Sequence, residues 1–221
     1  MATRVLITGA NRGIGLALCQ QYQASGAEVI AVCRRASAEL LELGVEIIDS
    51  IELTSEQSVL KLTQALGARQ IGLLINNAGI LRSQSLDNLD FEIVREQFQV
   101  NAVAPLRLVK ELMGNLIEGS KIAMITSRMG SIEDNSSGSA YGYRMSKSAL
   151  NAAGKSLAID LKPNGIAVAL LHPGYVQTEM VNFGGEISAT EAARRLVQRI
   201  EELSLQNSGT FWHSSGEVLP W

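Results

Sequence analysis

The chain has 221 residues, of which 46% are hydrophobic and 19% are charged, and its formal net charge at pH 7 is −3. This length and composition are typical of a globular α/β protein with one continuous core, so we expect residues 1–221 to form a single domain. The small negative charge does not favour a nucleic acid or an anionic membrane as a partner.

Cysteine content and hydropathy bear on the cellular compartment of the protein. Cys19 and Cys33 are too few for a disulfide framework, and together with two histidines they do not indicate a metal site. We expect both thiols to be reduced and buried. The apolar run near the start is too short for a signal peptide, and the longest apolar stretches are far below the ~18 residues that cross a bilayer. These features predict a cytoplasmic protein.

The chain opens with a strand, a glycine loop and a helix. Residues 4–8 form an apolar run that predicts a strand buried on both faces, as in a parallel sheet. The glycines of residues 9–15 follow with the spacing G-x-x-x-G-x-G, and residues 16–25 have helical spacing. Backbone N–H groups of such a loop, together with the helix N-terminus, face the phosphates of a bound dinucleotide. The opening therefore predicts a dinucleotide-binding site.

The second predicted strand, residues 28–33, bears on the identity of that dinucleotide. It ends at Arg34 and Arg35, with no acidic residue at its end. In this architecture the strand end meets the adenosine ribose, where a carboxylate holds the 2′-hydroxyl of NAD and an arginine accommodates the 2′-phosphate of NADP. Arg12 adds a positive charge in the glycine loop. We therefore expect NADP(H) to be favoured over NAD(H).

The rest of the chain continues the alternation of strands and helices. Ser188 and Glu191 form a capping box that starts the last helix. Connections between the elements are short, which predicts a Rossmann-type doubly wound parallel sheet of about seven strands with helices on both faces. The further predicted strands are residues 45–48, 71–75, 121–126, 166–171 and 209–213, and the helices are residues 37–43, 54–68, 86–98, 102–116, 140–161 and 188–203.

Distinctive residues follow several predicted strands. In open α/β sheets the ligand lies outside the carboxyl ends of the strands. The sequence Asn-Asn-Ala-Gly at residues 76–79 follows one strand, Ser127 follows another, and Pro173-Gly174 follow a third. Asn101 lies where two predicted helices join. We expect these groups to meet at one edge of the sheet.

Tyr143 and Lys147 lie four residues apart in the predicted helix 140–161, so both can face the same spot. A nearby ammonium lowers the pKa of a phenol, and a phenol tuned in this way suits general acid/base work near neutrality. Tyr141 lies on another face and cannot pair with Lys147. The spacing alone also fits an exposed helix on which the two residues are neighbours by chance.

In their order and spacing, these motifs resemble the classical short-chain dehydrogenase/reductase family over essentially the whole chain. Residues 128–151 and the closing Gly216-x-x-Leu219-Pro220-Trp221 are further similar to the C-factor-like carbonyl reductases within that family. The motifs that carry the family resemblance are Thr8-Gly9-x-x-x-Gly13-x-Gly15, Asn76-Asn77-Ala78-Gly79, Asn101, Ser127, Tyr143-x-x-x-Lys147 and Pro173-Gly174.

The resemblance implies an NADP(H)-dependent oxidoreductase that transfers a hydride between the nicotinamide and a carbonyl or secondary alcohol. Tyr143 would exchange a proton with the substrate oxygen, and Lys147 would bind the nicotinamide ribose and lower the pKa of the tyrosine. Ser127, with Ser131 as the alternative, would hydrogen-bond the substrate oxygen, and Asn101 would help to hold a proton-relay water. The cofactor-binding residues implied are Gly9, Asn11, Arg12, Gly13, Ile14, Gly15, Arg34, Asn77, Ala78, Gly79, Tyr143, Lys147, Pro173, Gly174, Val176 and Thr178.

Three questions stay open at this point. The acidic residue near the adenine is either Asp49 or Glu52. The family resemblance implies a homodimer or homotetramer, and the sequence does not decide between them. An NADP(H)-binding signalling or regulatory protein with little turnover is the alternative function, whereas a serine hydrolase is excluded because no G-x-S-x-G elbow is present.

Overall fold

The computed structural model describes residues 3–221, in which strands and helices alternate along the chain. The strands are β1 Arg4–Thr8, β2 Glu28–Val32, β3 Glu46–Ile48, β4 Ile71–Asn76, β5 Leu116–Ile125, β6 Ala167–His172, β7 Val176–Gln177, β8 Ile187–Ser188 and β9 Phe211–His213. The helices are α1 Gly13–Ala24, α2 Ala38–Glu42, α3 Glu56–Leu66, α4 Phe91–Phe98, α5 Ala104–Glu111, α6 Tyr141–Asp160 and α7 Ala189–Glu201.

Seven strands form one sheet in the order β3-β2-β1-β4-β5-β6-β9, and each neighbouring pair is parallel. β7 and β8 form a separate parallel pair. The strand order reverses at β1, which lies between β2 and β4, and a crevice for a ligand is expected at such a switch point. This topology confirms the prediction of a Rossmann-type doubly wound sheet.

Both faces of the sheet are covered by helices, because neighbouring residues of each central strand point into different cores. Val5 and Ile7 of β1 belong to the core beneath α1 and α7, whereas Leu6 belongs to the core beneath α3, α5 and α6. The apolar run of β1 without alternation is explained by this double burial. Cys19 and Cys33 are free and buried in the first of these cores, as predicted.

The predictions for two helices between β4 and β5 were wrong at their ends. The helix predicted at residues 86–98 begins only at Phe91, where the Asp90 side chain caps it by accepting from the Glu92 N–H at 2.8 Å. The helix predicted at residues 102–116 ends at Glu111, and Leu116 already belongs to β5, paired with Ile71. β5 is therefore longer at its start than the predicted strand 121–126.

Tertiary contacts explain the early end of α5. The Asn115 side chain donates to the carbonyl oxygens of Gly67 and Arg69, both at 2.8 Å, and the main-chain carbonyl of Asn115 accepts from the Ile71 N–H at 2.8 Å. These bonds turn the chain into the sheet. Among the described residues no helix is both long enough and apolar enough to cross a membrane.

Candidate active site

A cleft of about 1140 Å³ lies along the carboxyl ends of β1, β2 and β4. It is larger than the ~300–1,000 Å³ that is usual for a small-ligand pocket, so it can take an elongated ligand. Gly15, Gly174 and Val176 lie outside its lining. The predicted cofactor-binding residues that line it are Gly9, Asn11, Arg12, Gly13, Ile14, Arg34, Asn77, Ala78, Gly79, Tyr143, Lys147, Pro173 and Thr178.

The N-terminus of α1 is built to receive an anion. Helices α2, α3, α4 and α7 each begin with a serine or aspartate whose side chain accepts from a first-turn N–H. Helix α1 has Arg12 at its N-cap position without a side-chain cap, and it has no acidic residue in its first turn. Its first N–H groups therefore keep their hydrogen-bonding capacity and the partial positive charge of the helix end. Both properties favour a phosphate at this place.

The glycine loop is held tightly against the segment that follows β4. The Thr8 hydroxyl accepts from the N–H groups of Asn77 and Ala78, both at 3.1 Å. The Asn77 side-chain amide donates to the carbonyl oxygens of Thr8 at 3.0 Å and Gly9 at 3.2 Å. Gly9 has φ +65°, and a Cβ there would come within 2.9 Å of the Ala78 Cα. Thr8, which was not among the predicted site residues, thus joins the two loops that form the floor of the cleft.

The end of β2 carries the charges expected near an adenosine ribose. Arg34 and Arg35 both line the cleft, and the Arg34 Nη1 lies 3.6 Å from the Glu52 Oε2. Both side chains of this pair are exposed, so the pair is weak and a phosphate can compete for the guanidinium. Glu52 lines the cleft and Asp49 does not, which favours Glu52 as the acidic residue at the adenine end.

Helix α6 presents Tyr143, Ser146 and Lys147 on its buried face. Their exposed fractions are 8%, 0% and 4%, respectively. The Lys147 Nζ donates to the carbonyl oxygen of Ile125 at 2.9 Å and lies 5.9 Å from the centre of the Tyr143 ring. The predicted sharing of one helix face is thus present, and the burial of both residues speaks against a chance pair on an exposed helix.

The expected pKa shift of Tyr143 was wrong in direction. Burial raises the pKa of the Tyr143 hydroxyl above its ordinary value, and a hydrogen bond with Ser127 only partly opposes this effect. Burial also lowers the pKa of Lys147 to about 8. Removing both groups from water disfavours each charged form, and for Tyr143 this effect exceeds the opposing effect of the Ser127 hydrogen bond.

Ser127 reaches the same place from β5. It is the second residue after the strand and caps a 3₁₀-helical turn, Arg128–Gly130, in which its hydroxyl oxygen accepts from the Met129 N–H at 3.2 Å. Gly130 packs on the backbone of α6, because a Cβ there would lie 2.8 Å from the carbonyl carbon of Lys147. This close approach brings the start of the loop after β5 against the helix that carries Tyr143 and Lys147.

Asn101 lies in a π-helical turn, Gln99–Val103, between α4 and α5, and it is fully buried. Its Oδ1 accepts from the Ile80 N–H at 2.8 Å, and its Nδ2 donates to the Ile80 carbonyl at 2.9 Å. The Nδ2 also donates to the Ser146 hydroxyl at 3.0 Å, and that hydroxyl donates to the Tyr143 carbonyl at 2.8 Å. The side chain of Asn101 therefore fixes the chain after Gly79 to the helix of Tyr143.

The segment after β7 closes one side of the cleft. Arg12 of the glycine loop forms an ion pair with Glu179, and a Cβ on Gly13 would lie 3.2 Å from the Thr178 Cγ2. Sequence reasoning missed the apolar residues beyond Thr178, although their place after the Pro-Gly turn is a usable signal. These residues are Met180 and Phe183, and both line the cleft.

This doubly wound fold, with a glycine loop at the switch point and a buried tyrosine–lysine pair beside it, defines the class of Rossmann-type oxidoreductases. A model of the family described as short chain dehydrogenase matches residues 3–187. The chain belongs to this family. Among residues 3–221 no three histidine, cysteine, aspartate or glutamate side chains cluster as metal ligands would.

Individual relatives agree with this assignment. The chain is 36% identical to 1-hydroxy-2-glutathionyl-2-methyl-3-butene dehydrogenase of Rhodococcus sp. over 98% of this chain and 99% of that protein. It is 39% identical to the C-signal of Myxococcus xanthus over 68% of this chain and 93% of that protein. The NADPH-bound carbonyl reductase from chicken fatty liver superposes with a TM-score of 0.89 at 30% identity, covering 100% of this chain and 99% of that one. These matches confirm the resemblance to the family and to its C-factor-like and carbonyl reductase members.

Proposed function

We propose that the protein is an NADP(H)-dependent carbonyl reductase, which transfers a hydride between the nicotinamide and a carbonyl or secondary alcohol with Tyr143 as general acid/base. One observation carries the proposal: Tyr143 and Lys147 are buried side by side in the wall of the cleft, and Ser127 is a hydrogen-bond partner of the tyrosine. Three polar side chains placed together at such a cost in desolvation are best explained by a chemical task.

The roles of the residues follow from their positions. A bound reduced nicotinamide supplies the hydride. The Tyr143 hydroxyl donates its proton to the carbonyl oxygen, and its raised pKa keeps it protonated at neutral pH. The Ser127 hydroxyl donates a hydrogen bond to the same oxygen. Lys147 binds the ribose hydroxyls and stabilises the tyrosinate that forms after proton transfer. Asn101 keeps the neighbouring backbone in place and helps to hold a proton-relay water.

The preference for NADP(H) rests on charge. Arg34 and Arg35 line the adenosine end of the cleft, and Arg12 lies in the glycine loop. A guanidinium fits a phosphate better than it fits a hydroxyl, because both of its N–H donors can face phosphate oxygens. The NADPH-bound carbonyl reductase with the same fold supports this preference.

Replacing Arg34 with aspartate is expected to shift the cofactor preference towards NADH. The charge-assisted contact with the 2′-phosphate is lost and a carboxylate is offered to the 2′-hydroxyl, so the ratio of kcat/KM for NADPH to that for NADH should fall about 30-fold or more. Steady-state kinetics with both cofactors measure this ratio. Lys61→Asp makes the same charge change on the exposed face of α3 and should leave the ratio unaltered. An unchanged ratio in Arg34→Asp would refute the phosphate-binding role.

A deuteride-transfer assay tests the proposed reaction directly. The purified protein is mixed with NADPH deuterated at C4, in separate samples for each face of the ring, and with a reactive dicarbonyl. We expect the nicotinamide absorbance to fall and one deuterium to appear on the carbinol carbon of the product from one of the two cofactors. A set of alcohols with NADP⁺ covers the reverse direction, in keeping with the relative named as a dehydrogenase.

The same assay separates the enzyme from the alternative function. A signalling or regulatory protein with this fold would bind NADPH, as fluorescence titration shows, without transferring deuterium to any carbonyl in the set. Tight binding without transfer would therefore argue against the reductase and in favour of the alternative.

A further inference from the structure

The loop that follows Ser127 fixes the position of that serine. In the 3₁₀-helical turn, the Gly130 N–H donates to the Ser127 carbonyl at 2.8 Å and the Met129 N–H donates to the Ser127 hydroxyl oxygen at 3.2 Å. The main-chain carbonyl and the side-chain hydroxyl of Ser127 are thus each bonded to this turn, to Gly130 and Met129 respectively. A displacement of this turn would displace the Ser127 hydroxyl as well.

The closing segment of the chain, residues 216–221, holds this loop by its backbone. The carbonyl oxygen of Trp221 accepts three hydrogen bonds from consecutive residues of the loop. The donors are the Ser131 hydroxyl at 3.0 Å, the Ile132 N–H at 2.9 Å and the Glu133 N–H at 3.0 Å. The path of the loop immediately beyond the 3₁₀ turn is therefore set by the closing segment.

A second contact reaches the residue next to Ser127. The Glu217 carboxylate accepts from the Arg128 Nη2 at 2.9 Å, and the Arg128 Nε lies 3.2 Å from the Asp134 carboxylate. The guanidinium lies between a carboxylate of the loop and one of the closing segment. These groups are partly exposed, so the pair adds little to the free energy of unfolding, but it restricts where Arg128 can lie.

The closing segment is itself fixed to β9. Leu219 is buried with Phe211, and its N–H donates to the Phe211 carbonyl at 2.8 Å. The Trp221 ring stacks on the Phe211 ring at 5.7 Å between centres. The Glu217 carbonyl accepts from the His213 N–H at 2.8 Å. The segment therefore connects the edge of the main sheet to the loop that carries Ser127.

We propose that residues 216–221 are a positioning element of the active site: by binding Arg128 and residues 131–133, they keep the Ser127 hydroxyl directed at the substrate oxygen. This inference rests on the proposed function, in which Ser127 hydrogen-bonds that oxygen. Glu217 and Trp221 do not line the cleft and would act through the loop. The glycine loop and the Arg34 end of the cleft are built from other elements and do not depend on this segment.

Glu217→Gln tests the ion pair, because it removes the charge and keeps the shape. We expect kcat for the carbonyl to fall about five-fold, with the Kd for NADPH unchanged, since small misplacement of a positioned group is costly in rate. In a Ser127→Ala background the same substitution should have less than about a two-fold effect, because the group it positions is gone. Glu118→Gln, at the opposite end of β5, is the matched control and should leave both quantities unaltered.

Trp221→Ala tests the backbone contacts without relying on turnover. Loss of the ring stack loosens the segment, so the amides of Ile132 and Glu133 should exchange with deuterium about ten-fold faster than in wild type, whereas amides of β1 should not change. Equal exchange in both proteins would overturn the proposed contact. An undiminished effect of Glu217→Gln in the Ser127→Ala background would overturn the positioning role. Absence of turnover in the wild type would instead overturn the proposed function, and the exchange comparison would still show whether the segment holds the loop.

Discussion

Replacing Tyr143 with phenylalanine is expected to lower kcat for carbonyl reduction by about 10³-fold, within the range typical of a lost general acid. The substitution removes one oxygen and keeps the buried ring on α6. No other hydroxyl with a comparable position can take over, since Ser127 is far too weak an acid to donate the proton at neutral pH. The loss should therefore appear in kcat rather than in cofactor binding.

Two measurements distinguish loss of the general acid from loss of cofactor binding or of stability. The Kd for NADPH should stay within about two-fold of wild type, and the melting temperature should fall by only a few degrees, because one partly buried hydrogen bond is worth about 1 kcal/mol. Tyr141→Phe is the matched control: it lies on the same helix, is 37% exposed and faces away from Lys147. A loss below about ten-fold in Tyr143→Phe, or an equal loss in Tyr141→Phe, would contradict the role of general acid.

The direction of the Tyr143 pKa marks the limit of sequence reasoning at this site. The four-residue spacing to Lys147 is local, so the sequence alone indicates that the two side chains share a face. Their burial is not local: it depends on β5, whose Ile125 carbonyl binds the ammonium, and on the π-helical turn around Asn101. The sequence therefore predicts the pair, whereas the desolvation that raises the pKa of Tyr143 is known only from the fold.

The boundaries of the strands and helices show the same difference between local sequence signals and distant contacts. The strands β1, β2 and β6 were predicted within one or two residues, because their apolar runs are bounded by glycine, arginine or proline signals. Residues 102–116 were predicted as helix, with no end assigned at Gly114 or Asn115. The end comes from the hydrogen bonds of Asn115 to the chain after α3, which are contacts of high sequence separation. Local propensity cannot foresee such contacts.

Some residues of the cleft could be predicted from the sequence, and others could not. Arg34 was predicted as a cofactor residue because it follows a strand, a position that the sequence pattern defines, and it lines the cleft. The choice between Asp49 and Glu52 stayed open because β3 has only three residues and its register cannot be read from so short a run. Thr8 was missed as a site residue because its importance lies in the two amides it binds beyond β4, some 70 residues away in the chain.

Gly15→Ala is expected to weaken NADPH binding by about 10²-fold, although alanine usually stabilises a helix interior by about 0.5–1 kcal/mol relative to glycine. A Cβ at this position would lie 2.2 Å from the Gly9 carbonyl oxygen and 2.6 Å from the Asn77 Nδ2. Neither contact can be tolerated, and both atoms belong to the bonds that join the glycine loop to the segment after β4. The loop must therefore move away from α1, and the phosphate-binding N–H groups move with it.

Fluorescence titration with NADPH measures this effect, and circular dichroism shows whether the variant is folded. Overpacking of this kind costs about 1–3 kcal/mol, so a folded variant with a lower melting temperature is expected. Gly114→Ala is the matched control, because a Cβ there meets nothing within 4 Å. If Gly15→Ala bound NADPH as tightly as this control does, the loop would not need its close contact with α1, and the phosphate site inferred at that helix end would have to lie elsewhere. The result thus tests the geometric basis of cofactor binding independently of any substrate.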